Sequence, residues 1–347
     1  GGVNKLTDRF TCRLNGTTGF AVTAEQREDP VCLADVEAAH ARIAPYIHNT
    51  PLLSSELLNK RFGSRLWFKC EQLQKIGAFK ARGASNAVLG LTDAVAAGGV
   101  ATHSSGNHGA ALAMAAARRG IPAWVVMPEN APVVKRAAVE SYGATIVECA
   151  PTLSARETTL DAVIAEHGAH VVHPYDDPRV IAGQGTCALE ILDARNVLDG
   201  LDELDVIAIP VGGGGLLGGM ALTIKARAPH IEVIGVEPAG ADDAFRSFGL
   251  GEIQPQTNPQ TIADGLRSGL GVRNFALIQR FVDTIVTVSE EAIIEAMRLQ
   301  WTRMKTVVEP SGAVSFAAVI EHNERVRGRR AAIVISGGNV DIDRLPW

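Results

Sequence analysis

Short β-rich runs alternate with alanine-rich segments of helical length from about Leu66 to the end of the chain. The runs show little polar alternation, which is typical of strands that helices cover on both faces. Strands that alternate with helices build parallel sheets. The predicted strands are LWFK, GVAT, AWVVM, TIVEC, HVVH, DVIAIPV, EVIGVE, TIVTV and AAIVI. The pattern therefore predicts the α/β class, with parallel or mostly parallel sheets.

The composition excludes several classes of partner. Of 347 residues, 46% are hydrophobic and 20% are charged, which is typical of a globular protein. The net charge is −5 and no basic block occurs, so we expect no nucleic-acid partner. No apolar run reaches the ~18 residues of a membrane span, and no apolar signal core occurs near the start. The five cysteines form no C-x-x-C pair, so we expect reduced thiols and a cytoplasmic protein.

Three glycine-rich turns follow predicted strands. They are SSGNHG at 104–109, GGGGLLGG at 212–219 and SGGN at 336–339. Ligands of open α/β sheets bind where the carboxyl ends of strands lead into helices. Three such turns in one chain predict one shared site that is assembled from distant parts of the sequence.

The tetraglycine run at 212–215 lies between a strand and a helix. Glycines allow backbone N–H groups to converge on an anion, and a helix start adds a favourable dipole, so the run predicts a phosphate site. A second interpretation remains open, because Gly213, Gly215 and Gly218 also satisfy G-x-G-x-x-G, with Glu237 at the end of the next strand. That pattern would indicate an NAD-dependent oxidoreductase, but it leaves SSGNHG and SGGN without a role.

Lys80 lies between Phe79 and Ala81, in a locally apolar segment at the start of a helical pattern. Desolvation lowers the pKa of a lysine. A neutral amine is what an imine with a carbonyl cofactor requires. An ordinary solvated surface lysine is the alternative interpretation.

The segments GAFKARGA, SSGNHG, GGGG and SGGN together resemble the pyridoxal-phosphate (PLP) enzymes of the tryptophan-synthase β-like fold. Within them the chain is most similar to the serine/threonine dehydratase and serine racemase group. The likeness extends over residues 33–342. It includes TPLL at 50–53, HPYDDPRVIAGQGT at 173–186 and TIADGL at 261–266.

The resemblance implies two domains and a homodimer. The large, PLP-binding domain would comprise residues 33–98 and 177–347, and the small domain residues 99–176. Residues 1–32 would form an N-terminal extension.

The resemblance also implies the residues that hold the cofactor. Lys80 would bind PLP covalently and later remove the α-proton of the substrate. Phe79 would pack against the ring, Asn107 would contact the ring hydroxyl, and Ser336 would meet the pyridine nitrogen. The phosphate would be held by Gly212, Gly213, Gly214 and Gly215. Because a neutral hydroxyl does not enforce a protonated pyridine nitrogen, we expect prompt loss of a β-substituent rather than transamination.

The turn that opens with Ser104 would receive the substrate. The N–H groups from Ser104 to His108, at a helix start, would bind the substrate carboxylate. The resemblance places Arg156 near the same carboxylate, and Asn107 and His108 within the substrate site. Ser105 would lie opposite Lys80 and exchange the α-proton on that face, as racemisation requires; a simple helix N-cap is its alternative role.

Glu237 ends a predicted strand, and Asp243 follows six residues later. Two carboxylates and the backbone oxygen of Ala241 suit Mg²⁺ or Ca²⁺. The pattern resembles the metal-activated branch that contains serine racemases and hydroxyaspartate dehydratases. Two solvated acids on a loop are the alternative interpretation.

The implied function is PLP-dependent β-elimination. The small-molecule substrate would be L-serine, L-threonine or 3-hydroxyaspartate, and the products a 2-oxo acid and ammonia, with racemisation possible at the same site. A protein that is primarily a serine racemase is the alternative. An NAD-dependent oxidoreductase and a cofactor-bound carrier or sensor are more remote. Ala110 replaces a glutamine found near a nucleotide effector in eukaryotic racemases, so nucleotide activation is not expected, although Lys305 and Asn339 are compatible with such a site.

Overall fold

The computed structural model describes residues 30–104, 106–131, 133–194 and 204–347. The strands are β1 Leu52–Leu53, β2 Arg65–Cys70, β3 Val100–His103, β4 Ala123–Pro128, β5 Thr145–Cys149, β6 His170–Val171, β7 Val206–Pro210, β8 Glu232–Pro238, β9 Thr284–Val288 and β10 Arg330–Ile335. The helices are α1 Leu33–Ile43, α2 Glu56–Phe62, α3 Lys80–Leu89, α4 Asp93–Ala96, α5 Asn107–Arg119, α6 Val133–Ser141, α7 Leu153–His167, α8 Pro178–Ala194, α9 Gly215–Arg227, α10 Asp243–Leu250, α11 Val272–Phe281, α12 Glu290–Met304 and α13 Pro310–Glu321.

Six strands form the larger sheet, in the order β1-β2-β10-β7-β8-β9. The neighbouring pairs from β2 to β9 are parallel, and only the two-residue β1 is antiparallel to its neighbour. Helices cover both faces, and every residue of β7 is buried. Because the central strands are buried on both sides, their sequences read as continuous apolar runs rather than alternating ones.

Four parallel strands form the smaller sheet, in the order β5-β4-β3-β6. The predicted α/β class is therefore confirmed, and each predicted strand run overlaps a strand of one of the two sheets. The sequence analysis missed β1, which is too short to show a period. The smaller sheet draws its strands from within 99–176, and the exact domain boundaries stay a prediction.

Helix α3 connects the two sheets. The helix begins at Lys80 beside the larger sheet, and Ala87 and Val88 near its end pack with Val100 and Leu112 in the core of the smaller sheet. Glycine is required where helices cross most closely. A Cβ at Gly83 or Gly183 would lie within 3.0 Å of the facing helix, so α3 and α8 meet nearly backbone to backbone.

One expectation about the cysteines is wrong. Cys32 is disulfide-bonded, whereas the sequence predicted reduced thiols throughout. Cys70, Cys149 and Cys187 are free and buried. Among the described residues, no helix is both long and apolar enough to cross a membrane.

Candidate active site

The carboxyl ends of both sheets face a cavity of about 710 Å³. The structure brings to its wall, from five separate stretches of chain, the predicted residues Phe79, Lys80, Ser104, Asn107, His108, Arg156, Gly212, Gly213, Gly214, Gly215 and Ser336. Ser105 lies outside the described residues. The three glycine-rich turns therefore share one cavity, as their position after strands predicts.

Lys80 begins α3 and lines the cavity with its side chain. Its Nζ donates a hydrogen bond of 2.7 Å to the carbonyl of Pro174. Among the described residues, no carboxylate lies within ion-pair distance of that amine. Burial without a counter-charge disfavours the ammonium form and lowers the pKa of Lys80 to about 8. The amine is thus much easier to deprotonate than an ordinary lysine.

A buried ionic cluster, formed by Lys69, Glu71, Arg82 and Glu190, lies beneath Lys80. The Arg82 guanidinium donates to both oxygens of Glu71 at 2.7 and 2.8 Å and to both oxygens of Glu190 at 2.7 Å. Lys69 Nζ completes the cluster with a 2.6 Å bond to Glu190. Two cations face two anions, so the charges balance. Because Arg82 is two residues from Lys80, the cluster fixes the first turn of α3.

The tetraglycine loop connects β7 to α9. Gly214 has φ = +91°, a conformation that favours glycine. A Cβ on Gly213 would lie 2.2 Å from the ring of Tyr175, so glycine also lets Tyr175 lie flat on the loop. The loop leads directly into α9, and the first N–H groups of a helix lack intrahelical acceptors. These N–H groups and the helix dipole suit an anion such as a phosphate.

The turn at 104–109 departs in part from the expectation. The N–H of Ser104 already donates to the carbonyl of Val126, and the N–H of Gly106 donates to Ser104 Oγ at 3.2 Å. The prediction that both N–H groups receive the substrate carboxylate is therefore wrong, because backbone donors satisfied within the turn are not free for a ligand. The N–H groups of Asn107 and His108 are the first two of α5 and have no intrahelical acceptor.

His108 is a neutral base in the cavity wall. Its Nε2 contacts the carbonyl of Val172 at 3.1 Å and must be the donor, because a carbonyl only accepts. Its Nδ1 is therefore unprotonated, and it is buried without a hydrogen-bond partner among the described residues. Burial and the positive charge of Lys80 lower the pKa of His108 to about 3.

Arg156 lies in the first turns of α7 and contributes a cation to the same wall. Its Nε is buried and has no hydrogen-bond partner in the part of the chain that the structure describes. An unpaired guanidinium N–H in a cavity wall suits a carboxylate, which accepts from such a fork in a planar geometry.

Asn107 is held from the opposite side of the cavity. Its Nδ2 donates to Glu309 Oε1 at 2.7 Å, and its Oδ1 accepts from Asn339 Nδ2 at 2.9 Å. Ser336 lies close by and donates to the carbonyl of Ser311 at 3.3 Å. Burial and the negative charge of Asp264 raise the pKa of Glu309 to about 7.

The acidic pair Glu237 and Asp243 lies outside the cavity wall, at the end of β8 and the start of α10. Both side chains are fully buried. Glu237 accepts from the N–H groups of Ala244 and Phe245, and Asp243 accepts from the N–H of Leu270 at 2.8 Å. Burial and the neighbouring Asp243 raise the pKa of Glu237.

The pair does not form a larger cluster. No group of three or more His, Cys, Asp or Glu side chains positioned for a metal occurs in residues 30–104, 106–131, 133–194 and 204–347. The two carboxylates therefore need other oxygen donors to bind an ion. The alternative of two solvated acids on a loop is wrong, because both are buried.

A family of known proteins matches most of this chain. The family described as "Pyridoxal-phosphate dependent enzyme" matches residues 43–337. The chain belongs to the pyridoxal-phosphate dependent enzymes. It is 49% identical to the β-hydroxyaspartate dehydratase of Paracoccus denitrificans over 90% of this chain and 98% of that protein. It is 46% identical to the serine racemase of Dictyostelium discoideum, over 91% and 97% respectively.

Solved structures agree. The structure of maize serine racemase superposes on this PLP-dependent enzyme with a TM-score of 0.86 and 42% identity, covering 90% of this chain and 94% of that chain. The processed form of threonine deaminase isoform 2 from Solanum lycopersicum gives 0.84 and 32%, over 90% and 85%. The resemblance to the serine/threonine dehydratase and serine racemase group is confirmed, and the oxidoreductase alternative loses its support.

The residues of the cavity fit the cofactor of the family. A buried amine without a counter-charge suits an aldehyde, a helix start after glycines suits a phosphate, and the Asn107 amide and Ser336 hydroxyl suit polar ring atoms.

Glu309 and Tyr175 are among the cavity residues that sequence reasoning did not assign to the site. Glu309 precedes Pro310 and reads as an ordinary helix start, so no local signal separates it from a cap. Tyr175 was visible only as part of the HPYDDP segment, and its contact with Gly213 depends on the tertiary fold.

Proposed function

We propose that this PLP-dependent enzyme catalyses β-elimination from a β-hydroxy amino acid. L-serine, L-threonine and 3-hydroxyaspartate are the candidate substrates, and a 2-oxo acid and ammonia are the products. The α-proton leaves to a base, the β-hydroxyl leaves as water, and the unsaturated amine that remains is hydrolysed. The observation that carries the proposal is Lys80, a buried amine without a counter-charge that shares one cavity with the glycine loop and Ser336.

Eight of the cavity residues would hold the cofactor. Lys80 binds its aldehyde, Phe79 packs beside its ring, and Asn107 and Ser336 contact its polar ring atoms. Gly212 to Gly215 hold its phosphate at the start of α9. When bound, PLP withdraws electrons from the α-carbon of the substrate.

Lys80 acts as the base. Because none of the described carboxylates pairs with it, the freed amine is deprotonated near neutral pH more readily than an ordinary lysine, so that it can accept the α-proton. The carbonyl of Pro174 accepts a hydrogen bond from this amine and orients it. Ser336 is neutral, so it leaves the ring a moderate electron sink, which favours loss of the β-hydroxyl.

The carboxylates of the substrate bind to the turn and helices that pack beside the smaller sheet. The N–H groups of Asn107 and His108 receive the α-carboxylate at the start of α5, together with the hydroxyl of Ser104 and with Ser105 of the same turn. Arg156, which the resemblance places near that carboxylate, offers an unpaired buried N–H that suits it or a second carboxylate. We rank 3-hydroxyaspartate first because of the similarity to the β-hydroxyaspartate dehydratase of Paracoccus denitrificans.

Racemisation is the second candidate activity. The serine racemases of Dictyostelium discoideum and Arabidopsis thaliana, 46% and 47% identical, favour it. Ser105 would exchange the α-proton on the face opposite Lys80. In Ser105→Ala, racemisation should fall far more than elimination from the L-isomer. Equal losses would limit Ser105 to positioning the substrate.

A divalent cation, Mg²⁺ or Ca²⁺, binds Glu237, Asp243 and the carbonyl of Ala241. Two buried carboxylates side by side repel one another, and a cation removes that repulsion. The ion would order the segment after Asp264, because Asp243 accepts from the N–H of Leu270 and that segment lines the cavity.

The assembly remains a prediction from the resemblance. We propose a homodimer, a small domain of residues 99–176 that closes over a large domain of 33–98 and 177–347, and a cytoplasmic location. Size-exclusion chromatography with light scattering tests the dimer.

The decisive experiment traps the cofactor. Borohydride reduction of the PLP-loaded enzyme, followed by peptide mapping, should label Lys80 alone. Lys80→Ala should lose the visible absorbance and all formation of 2-oxo acid from the three amino acids, whereas the neighbouring Lys75→Ala should keep both. A label on another amine, or turnover in Lys80→Ala, would refute the assignment. Reduction of NAD by the wild-type enzyme would instead support the alternative function of an NAD-dependent oxidoreductase.

A further inference from the structure

Asn107 is the residue through which the smaller sheet reaches the larger one inside the cavity. It is the first residue of α5, and both ends of its amide are bonded to residues that follow β9 and β10. The backbone carbonyl of Ile76 fixes the orientation of the side-chain amides of Asn339 and Asn107. Ile76 O can only accept, so Asn339 presents Nδ2 to it at 2.7 Å and to Asn107 Oδ1 at 2.9 Å. Asn107 must then present Nδ2 to Glu309.

Glu309 is fixed in place by its backbone. Its N–H donates to the carbonyl of Gly337, and its own carbonyl accepts from Gly312 and Ala313 at the start of α13. A Cβ on Gly337 would lie 2.1 Å from Glu309 Oε1, so the glycine of the SGGN turn makes room for this carboxyl group. The side chain therefore has little freedom to move away from Asn107.

The charge on Glu309 is not balanced by a partner within the described chain. The residue is 2% exposed, and among the described residues no cation lies within 4.0 Å of its carboxyl group. Lys135 of α6 and Asp264 are the charged groups that face it, and they pair with one another. The only hydrogen bond described for its side chain is the one from Asn107.

We propose that Glu309 is a positioning residue that, together with Asn339, holds the Asn107 amide so that one N–H remains for the cofactor. An amide nitrogen has two N–H donors, and Glu309 takes one of them. The inference rests on the proposed function, since it gives the remaining donor to PLP. The bond to an ionised carboxylate is about twice as strong as a neutral one, so it orients the amide firmly.

The protonation of Glu309 should therefore be visible in the cofactor. The pKa of Glu309 is raised to about 7, so the carboxylate form is lost as the pH falls through 7. Asn107 is then held less firmly, and the absorbance of bound PLP and kcat should both change over that range. The free amine of Lys80, in the protein without PLP, has a pKa of about 8 and titrates at higher pH.

The test follows the visible spectrum and kcat of the PLP-loaded enzyme from pH 5.5 to 9. In Glu309→Gln the transition near pH 7 should disappear, and kcat should fall by about 10-fold with KM nearly unchanged, since an orienting hydrogen bond is weakened. Glu309→Asp should restore the transition in part. Glu290→Gln is the matched control, because Glu290 accepts a backbone N–H outside the cavity, and it should behave as wild type.

Two further variants keep the proposal testable if Glu309→Gln does not fold. Removal of the negative charge in Asp264→Asn should move the transition to lower pH, whereas Lys135→Gln should move it to higher pH. Such opposite shifts would not arise from a purely structural role. A transition that stays near pH 7 in all these variants would overturn the proposal. A wild-type protein that binds no PLP would instead overturn the proposed function.

Discussion

The ionic cluster beneath α3 is fully buried and the charged groups of the cavity are partly buried, and the two differ in how their charges are balanced. The charges of Lys69, Arg82, Glu71 and Glu190 balance one another, and Thr50 and Thr186 make further hydrogen bonds to the cluster. Within the described chain, the cavity holds Lys80 without a paired carboxylate, and the acidic pair behind it holds two carboxylates without a paired cation. Breaking a balanced cluster costs stability, whereas an unbalanced charge already costs stability and persists where chemistry requires it.

The largest effect should come from breaking the balanced cluster. Arg82→Leu leaves Glu71 and Glu190 buried with Lys69 alone, so we expect the free energy of unfolding to fall by about 3–5 kcal/mol. Denaturant unfolding measures it. Arg61→Leu is the control, since Arg61 pairs with Glu295 at the surface, with both side chains more than 40% exposed, and should cost less than about 1 kcal/mol. Equal losses in the two variants would show that the cluster is no more important than a surface pair.

A smaller effect should come from neutralising the acidic pair with a cation. Mg²⁺ or Ca²⁺ at 100 times its dissociation constant should stabilise the protein by about 2.7 kcal/mol, and a chelator should reverse the gain. Thermal unfolding at constant ionic strength measures it. Asp243→Asn should abolish the gain, whereas Asp242→Asn should retain it, because Asp242 pairs with the partly exposed Arg246. A gain that survives Asp243→Asn would place the ion elsewhere.

The fold and most of the cavity could be predicted from the sequence because both have local signals. Apolar runs indicated the strands, and glycines after strands indicated the turns that meet at one cavity. The balance of buried charge has no such signal. Arg82 and Glu190 are 108 residues apart, and Asn107 and Glu309 are 202 residues apart. Only the tertiary fold therefore shows which side chain contacts each buried charge.

The satisfied N–H groups of the 104–109 turn illustrate the same limit. The sequence suggested a run of free donors from Ser104 to His108, since hydroxyls and glycines precede a helix. The structure uses two of them within the protein, one for the neighbouring strand β4 and one for the Ser104 hydroxyl. Whether a donor is free depends on neighbours in space, which local spacing does not encode.

The smallest effect should come from removing the unbalanced cation in the cofactor-free protein. The pKa of Lys80 is about 8 in the folded protein, against 10.5 for an ordinary lysine of an unfolded chain, so folding opposes the ammonium form. Wild-type stability should therefore rise as the pH increases from about 8 to 10.5, because the unfolded state binds more protons there. Lys80→Met has no charge to desolvate and should be more stable than wild type by roughly 1–3 kcal/mol at pH 7.

This gain should shrink towards zero as the pH approaches 10.5, since the wild-type amine is then neutral in the folded state and the desolvation cost disappears. Denaturant unfolding of PLP-free protein at several pH values measures the difference. Lys75→Met is the matched control, because Lys75 lies in the same segment but does not line the cavity, and it should show no such dependence. A gain in stability that is independent of pH would come from apolar packing alone. It would show that the charge of Lys80 does not destabilise the folded protein. A loss of stability in Lys80→Met at pH 7 would mean that the hydrogen bond to Pro174 outweighs the cost of desolvation. The charges of Lys80 and Arg82 would then both stabilise the folded protein, by different amounts.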